Sequence, residues 1–255
     1  MIDWLVVLLV FAGAVAQTGV GIGFSILAGP GLMLTLGVTI AVPLLLLLNT
    51  IVSLVGTVCG YRSERKRIAN YDLPPADRLI VGIAAGIGLG AITYPYVSSK
   101  LILLATGLVL LFSAFVSLLA TGFTKVDSPH LNRSALLVVS VIAGFATSWT
   151  ATPGPILALG LIILGLSSRQ VRWFIQPLAL IAYAAALLLH LYFDGAIFLA
   201  ASNFLLYVVV ALAGSIVGIV VVGRLPERFL TVSIKTFSVI AGGLLVYRAI
   251  SVSGT

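Results

Sequence analysis

Two short clusters of uncharged polar residues lie within long apolar segments of this 255-residue chain, at points where glycine and proline are frequent. The first cluster comprises Gln17, Thr18 and Ser25. The second comprises Thr147, Ser148, Thr150 and Thr152. Further polar side chains stand in the apolar segments that follow the clusters: Asn49, Thr50, Ser53, Gln176 and Tyr183. Hydroxyl and amide groups donate hydrogen bonds without carrying a charge, so the chemistry that these residues favour is noncovalent binding of a small solute.

Glycine and proline in both clusters predict breaks in helical backbone, because proline lacks an N–H and glycine has a high backbone entropy. A helix that starts just after such a break presents unpaired N–H groups and the positive end of its dipole. Two such ends directed at one point favour a small anion. We therefore count Gly29 and Gly154, which lie in the interrupted segments, with these polar residues other than Ser53 and Ser148 as the predicted binding site.

A structural role is the alternative for each of these polar residues. A single serine or threonine more often bonds backbone that glycine and proline leave free, or joins two helices. For the two clusters together, repeated in both halves of the chain, we favour a binding site. Lys235 also has two interpretations, since its side chain either extends towards the membrane surface or faces the pathway and attracts an anion. We favour the first and keep the second as an auxiliary site.

The residues needed for catalysis or metal binding are missing from the apolar segments. No Asp or Glu lies deep inside any of them, and two histidines with one cysteine do not suffice for a metal cluster. A serine triad is disfavoured because no Asp and His are available together at depth. We expect no enzyme activity, no catalytic residue, no metal site and no cofactor. His190 stands near the end of an apolar segment, and we interpret it as an interfacial residue rather than a proton relay.

The composition indicates a membrane protein. Hydrophobic residues make up 61% of the chain and charged residues 8%, against about 25% charged residues in ordinary globular proteins. A soluble protein of this size could not bury so much apolar surface, and the single cysteine, Cys59, excludes a disulfide scaffold. The formal net charge of +7 comes from basic residues between apolar runs, so we expect no nucleic-acid partner.

Six apolar segments are long enough to cross a membrane, which takes about 20 residues. They are 39–61, 79–97, 101–121, 173–193, 196–222 and 229–250. Two more segments, 3–37 and 134–165, are too long for one crossing and too short for two. Because each is interrupted near its middle, we predict that both are re-entrant hairpins made of two short helices.

The two halves of the chain resemble each other at three places, in the same order and at a nearly constant offset. The matching pairs are Gly29-Pro30 with Gly154-Pro155, Asn49 with Gln176, and Gly86-x-x-x-Gly90 with Gly214-x-x-x-Gly218. Small residues at this spacing are typical of helix contacts in membranes. The three matches indicate a duplicated unit.

The predicted fold class is all-α: a polytopic membrane protein of two inverted repeats, each made of one re-entrant helical hairpin and three transmembrane helices. The first repeat covers 1–121, a linker covers 122–133, and the second repeat covers 134–255. Each repeat crosses the membrane an odd number of times, which inverts the second relative to the first.

The basic residues predict the orientation. With both termini outside, eleven of the fourteen Lys and Arg residues fall in cytoplasmic loops, as the positive-inside rule favours. The loop 62–78 is the most basic of these and is therefore predicted to be cytoplasmic. If each interrupted segment crossed once instead, only eight basic residues would lie inside, so the charges favour hairpins.

The layout resembles the sulfite exporter TauE/SafE family, also described as the 4-toluene sulfonate uptake permease family. The first family motif is matched by Gly19-Val20-Gly21-Ile22-Gly23, Gly29-Pro30 and Leu36-Gly37. The second is matched by Gly154-Pro155, Leu164-Gly165 and the stretch 167–172. The resemblance covers nearly the whole chain.

The resemblance implies a secondary transporter of small anionic sulfur compounds, such as sulfite, sulfoacetate or related sulfonates, with export as the expected direction. The expected partners are this anion and the lipid bilayer, and the expected location is the cell inner membrane. The alternatives are an anion channel of the same architecture and a non-transport membrane assembly factor. The exact substrate, the coupling ion and the choice between a monomer and a homodimer stay open.

Overall fold

The computed structural model describes residues 3–21, 23–68, 76–119, 133–163, 168–221 and 227–251. Within these ranges the chain forms helices and no strand, which confirms the predicted all-α class. The helices are α1 Trp4–Val20, α2 Phe24–Leu36, α3 Val38–Ile68, α4 Ala76–Thr93, α5 Ser99–Leu119, α6 Arg133–Thr150, α7 Pro153–Ile163, α8 Ser168–Asp194, α9 Phe204–Val221 and α10 Glu227–Ser251. Short 3₁₀ turns follow α4 at Tyr94–Tyr96 and α8 at Ile197–Ala200.

Four of the described helices contain apolar spans long enough to cross a membrane. These spans are Val38–Cys59, Asp77–Tyr96, Phe174–Asp194 and Ile234–Ser251. They correspond to the predicted segments 39–61, 79–97, 173–193 and 229–250. The other described helices carry shorter apolar stretches of 10–17 residues. The protein is therefore a multi-pass membrane protein, as its composition predicts.

The predicted span 196–222 is wrong at its start, because α9 begins only at Phe204. Gly195 has a φ of 69° where α8 ends, and a 3₁₀ turn follows it. Phe198 of this turn is buried, and its ring centroid lies 5.8 Å from that of Phe204. Phe198 thus packs on the protein, a use of hydrophobicity that a hydropathy pattern does not separate from a membrane span.

Both interrupted segments are broken near their middles, as predicted. The first break separates α1 from α2, and the φ values of its two described residues are positive, 94° at Gly21 and 141° at Gly23. Residues with side chains rarely adopt such values, which explains the two glycines. The second break separates α6 from α7 and consists of Ala151 and Thr152.

Residues 29–31 continue α2 rather than interrupt it, which corrects the prediction that they help to break the first segment. Pro30 lies inside α2, whereas Gly154 and Pro155 occupy the first turn of α7. The two Gly-Pro pairs are therefore not equivalent positions of the two halves. The ring of Pro30 also removes the N–H that would have bonded the carbonyl of Ile26, one turn closer to the break.

Helices of the two halves pack on each other in corresponding pairs. α1 packs on α9 and α4 packs on α6, while α3 packs on α8 and α5 packs on α10. Of the four long apolar spans, that of α3 is the most buried, at 61% against 28% for α10. This packing carries the polar side chains Asn49 and Ser53 into the interior of the protein.

Glycines allow two of these helix pairs to approach closely. Gly86 and Gly90 of α4 lie against the backbone of α6, and Gly214 and Gly218 of α9 lie against the backbone of α1. A Cβ atom at Gly214 would stand 2.6 Å from the carbonyl oxygen of Phe11. The prediction that both Gly-x-x-x-Gly pairs are helix contacts is confirmed.

Some predictions fall outside the described residues. The linker 122–133, apart from Arg133, lies there, as does the part of the basic loop 62–78 between residues 69 and 75. Leu164-Gly165 of the second motif lies there too.

Candidate functional site

The two breaks meet inside the protein. The hydroxyl group of Ser25, in the first turn of α2, donates a hydrogen bond to the backbone carbonyl of Ala151, where α6 ends. A small cavity with room for about one water molecule lies at this junction. Its described lining residues are Gln17, Gly23, Ser25, Ile26, Thr152, Gly154, Pro155 and Tyr183. They come from α1, α2, α7, α8 and both breaks, so the cavity lies between the two halves of the chain.

Gln17 holds the first break together. Its backbone carbonyl accepts a hydrogen bond of 2.9 Å from the N–H of Gly21 and one of 2.6 Å from the side-chain amide of Gln176. Its side-chain oxygen accepts one of 3.2 Å from the N–H of Phe24, the first residue of α2. Its side-chain nitrogen donates to the hydroxyl of Ser53 at 3.2 Å. One residue thereby connects α1 with α2, α3 and α8.

Asn49 of α3 supports Ser25. Its side-chain nitrogen donates to the hydroxyl oxygen of Ser25 and to the carbonyl of Leu45, both at 2.8 Å. The Ser25 hydroxyl therefore accepts from α3 while it donates to Ala151. The side-chain oxygen of Asn49 is buried and has no hydrogen-bond partner among the described residues. A buried acceptor without a partner is costly.

The second break is built from different residues. Ala151 has a φ of 52°, a left-handed value that is uncommon for a residue other than glycine. Its N–H donates to the carbonyl of Thr147 at 2.9 Å. The hydroxyl of Thr150 lies 2.7 Å from the carbonyl of Ala146 and also bonds the hydroxyl of Thr152. The second break therefore depends on hydroxyl groups, whereas the first depends on an amide.

The first turns of α2 and α7 both line the cavity, the former with Ser25 and Ile26 and the latter with Gly154 and Pro155. Each helix N-terminus carries a partial positive charge of roughly half an elementary charge. None of the described lining residues is acidic. These two N-termini favour a negative solute, while the ends of α1 and α6 lie at the same breaks.

Tyr183 of α8 completes the wall of the cavity. The side chain is buried, and its hydroxyl group lies beside the side chains of Ser25 and Gln17. It adds a neutral donor at the same point.

The structure divides the predicted site residues into three groups. Those that line the cavity are Gln17, Ser25, Thr152, Gly154 and Tyr183. Those one hydrogen bond away from a lining residue are Asn49, Thr150 and Gln176. Those not brought to the cavity are Thr18, Gly29, Thr50, Thr147 and Lys235.

The residues of the third group have other contacts. The hydroxyls of Thr18, Thr50 and Thr147 each donate to a carbonyl of their own helix, at 2.7–2.8 Å. Gly29 lies inside α2, and Lys235 is half-buried on α10. These three threonines therefore have the structural role that was the alternative to binding, since each bonds the backbone of its own helix.

Gly23, Ile26 and Pro155 line the cavity but were not among the predicted site residues. The positions of Gly23 and Pro155 next to the breaks were a usable signal. Ile26 gave none, since an isoleucine in an apolar helix has no distinguishing pattern. His190 is buried rather than interfacial, and it lies 2.8 Å from Asp194, four residues later. This spacing on one helix face was the available signal.

The chain matches the family described as Sulfite exporter TauE/SafE over residues 5–245. The match includes both breaks, all ten described helices at least in part, and every described residue that lines the cavity. No curated protein and no solved structure gives a match.

Proposed function

The chain belongs to the sulfite exporter TauE/SafE family, and we propose that it is a secondary transporter that carries small sulfur oxyanions or sulfonates, such as sulfite or sulfoacetate, out of the cell. The observation that carries this proposal is the cavity at the junction of the two breaks, which the first turns of α2 and α7 both line. The chemistry is noncovalent, so no catalytic residue and no cofactor is assigned.

The cavity supports an anionic substrate. Two helix N-termini and the neutral hydroxyl groups of Ser25, Thr152 and Tyr183 surround it, and the described lining has no carboxylate. Ser25 and Thr152 donate within the protein here, so they become donors to a solute only when the junction opens. Neutral donors and dipoles of this kind bind oxyanions through hydrogen bonds to several oxygens at once. A sulfonate or sulfite group offers such oxygens, whereas a cation would meet the unfavourable end of both helices.

The architecture supports a carrier with alternating access. We propose that residues 1–121 and 134–255 are inverted repeats and that α1–α2 and α6–α7 are re-entrant hairpins. The corresponding helix pairs α1–α9 and α4–α6 support this arrangement. Discontinuous helices that meet near the centre of the membrane at a repeat interface are a common transporter design. The protein then lies in a bacterial inner membrane, with both termini outside and the loop 62–78 on the cytoplasmic side.

The membrane potential supports export. An inside-negative potential is worth about 2.3 kcal/mol per elementary charge for each 100 mV, and it drives anions outward. A divalent anion gains twice that amount. Because the apolar spans contain no acidic residue at depth, we propose a uniporter driven by this potential rather than a carrier that depends on a carboxylate-bound cation.

The test is flux of sulfite and sulfoacetate in liposomes that contain the purified protein. We expect saturable flux that accelerates when a potassium gradient with valinomycin imposes a potential of the favourable sign. Protein-free liposomes give the leak rate. Flux that ignores the potential would contradict the uniport mechanism, and large single-channel currents without counterflow would identify a channel instead.

A binding assay separates substrate choice from transport. Thermal denaturation of the purified protein is measured with sulfite, sulfoacetate, taurine, sulfate and carboxylate analogues. A ligand at about 100 times its Kd stabilises the native state by about 2.7 kcal/mol, so true substrates raise the Tm. If carboxylates raise the Tm and none of the sulfur compounds does, the substrate class is wrong.

A further inference from the structure

His190 is enclosed near the end of α8, next to the second break. Its side chain is 2% exposed, whereas that of Asp194, one turn further along α8, is 22% exposed. Nδ1 of the ring lies 2.8 Å from a carboxylate oxygen of Asp194, and Nε2 lies 3.0 Å from the backbone carbonyl oxygen of Ser148 on α6. Tyr94 packs edge-on against the ring at a centroid distance of 4.5 Å.

The two ring nitrogens of His190 both face acceptors, and this fixes the number of protons. A neutral imidazole has one N–H, so it can satisfy only one of the two oxygens. Both contacts are hydrogen bonds only when His190 and Asp194 together hold one further proton. An imidazolium beside a carboxylate and an imidazole beside a carboxylic acid are two forms of this same protonation state.

Within the described residues, the titratable groups in contact with the ring are Asp194 and Tyr94. Asp194 belongs to α8 itself, Tyr94 belongs to the turn after α4, and α6 contributes only the Ser148 carbonyl. Without the further proton, the single N–H of the ring faces the Asp194 carboxylate, because a carboxylate is the stronger acceptor. A lone pair on Nε2 then faces the lone pairs of the Ser148 carbonyl oxygen. The contact between α8 and α6 would then be repulsive.

The Ser148 carbonyl explains why this contact matters for the second break. It belongs to the last turn of α6, where carbonyl groups lack intrahelical partners and the helix dipole favours a positive charge. The hydroxyl of Ser148 also donates to the carbonyl of Ile87 on α4 at 3.0 Å. The end of α6, just before Ala151, is thus fastened to α8 by His190 and to α4 by its own hydroxyl.

We propose that His190 and Asp194 form a proton-binding site that latches the second break. With the further proton bound, Nε2–H holds the Ser148 carbonyl and the end of α6 is fixed. When the proton leaves to water by way of the partly exposed Asp194 carboxylate, the contact is lost and the break can open. As the pH rises, opening at the second break should become easier. Only the effect of this opening on transport rests on the proposed function.

Hydrogen exchange on the wild-type protein tests the latch without a mutation. Peptides that cover residues 145–158 report the second break, and peptides that cover 17–26 report the first as an internal control. Rates at pH 5.5 and pH 8.5 are corrected for the intrinsic pH dependence of exchange. We expect the second break to lose protection about fivefold more than the first at pH 8.5, the effect of about one hydrogen bond. An equal change at both breaks would overturn the proposal.

Thermal denaturation of variants provides the second test. In His190→Gln, the side-chain amide can donate to the Ser148 carbonyl but is not titratable. The control is His130→Gln, which removes the other histidine of the chain. Folding that requires a bound proton is stabilised at low pH and loses this stability as the pH rises.

We expect the wild-type Tm to fall by about 2–4 °C between pH 5.5 and pH 8.5, the size expected for one such contact in a chain of this length. The His130→Gln variant keeps this fall and His190→Gln loses it. The same fall in His190→Gln would overturn the latch, and exchange on the wild type still decides if that variant does not fold. Neither readout needs a substrate, so loss of liposome flux with these results intact would contradict only the transport proposal.

Discussion

Ser25 donates its hydroxyl hydrogen bond to the backbone carbonyl of Ala151, a residue 126 positions later in the chain. The same hydroxyl accepts a hydrogen bond from the side chain of Asn49. One small side chain therefore joins the start of α2, the end of α6 and the middle of α3. Any movement that opens the cavity between the two breaks has to separate this contact.

Replacing Ser25 with alanine should impair both stability and transport. The variant leaves the Ala151 carbonyl and one Asn49 donor position without their partner, and a buried unsatisfied group costs about 1–3 kcal/mol. We expect a lower Tm and a flux of sulfite in liposomes at least tenfold below that of the wild type.

The matched control is Ser215→Ala. Ser215 is as deeply buried as Ser25, but its hydroxyl donates to the carbonyl of Ala211 in its own helix, at 2.7 Å. That carbonyl keeps its helical hydrogen bond when the hydroxyl is removed. Equal loss of flux in Ser25→Ala and Ser215→Ala would mean that any buried serine matters and that the junction has no special role.

Replacing Asn49 or Gln176 with alanine should reduce flux more than stability. Asn49 positions Ser25, and Gln176 donates to the carbonyl of Gln17 at 2.6 Å. The loss of Asn49 also removes a buried oxygen without a partner, which offsets part of the stability cost. We expect at least a tenfold loss of flux in each variant with a Tm within about 5 °C of the wild type.

The control for these two variants is Thr106→Ala, a buried position on α5 whose hydroxyl donates to the carbonyl of Ile102 at 2.8 Å. It should retain wild-type flux. Normal flux in both the Asn49 and the Gln176 variants would refute the proposed binding site at the junction of the two breaks.

Gly86 and Gly88 of α4 should respond in opposite ways to the same substitution. A methyl group on Gly86 would overlap the backbone of α6, whereas one on Gly88 would have no neighbour within 4 Å. We expect Gly86→Ala to cost about 1–3 kcal/mol through overpacking. Gly88→Ala should be neutral or stabilise by up to about 1 kcal/mol, because alanine is the better helix former. Thermal denaturation in detergent measures both, and similar Tm values would disprove the close helix contact.

The backbone at Ala151 allows a test of strain in the second break. Its φ of 52° is costly for a residue with a Cβ atom, and more so for a β-branched one. We expect Ala151→Gly to fold with a Tm at or above that of the wild type and Ala151→Val to be destabilised by more than about 1 kcal/mol. A stable valine variant would show that this residue is not left-handed in solution.

The sequence predicts the features of this fold that depend on local chemistry. The length of the apolar segments predicts the helices that contain Asn49 and Gln176. The breaks at Gly21 and Ala151 are predicted by the glycine, proline and polar residues near them. The Gly-x-x-x-Gly spacing predicts the close helix contact at Gly214, because this spacing places two small residues on one face of a single helix. These signals lie within a few residues of the feature that they indicate.

Features that depend on distant partners could not be predicted in the same way. Nothing local separates Thr18, which bonds its own helix, from Ser25, which reaches the other half of the chain. The burial of His190 depends on α6 and on the turn that contains Tyr94. Pro30 looked like a helix breaker, yet α2 continues through it.

The pairing of α1 with α9 has a consequence for how the protein is made. The surface of α1 around Phe11 fits closely against Gly214, about 200 residues later in the chain. At a synthesis rate of about 5–20 residues per second, the newly inserted first helix waits on the order of 10–40 seconds for its partner. During that time its docking face contacts lipid or the insertion machinery. A truncated product that ends before α9 would keep this face of α1 uncovered.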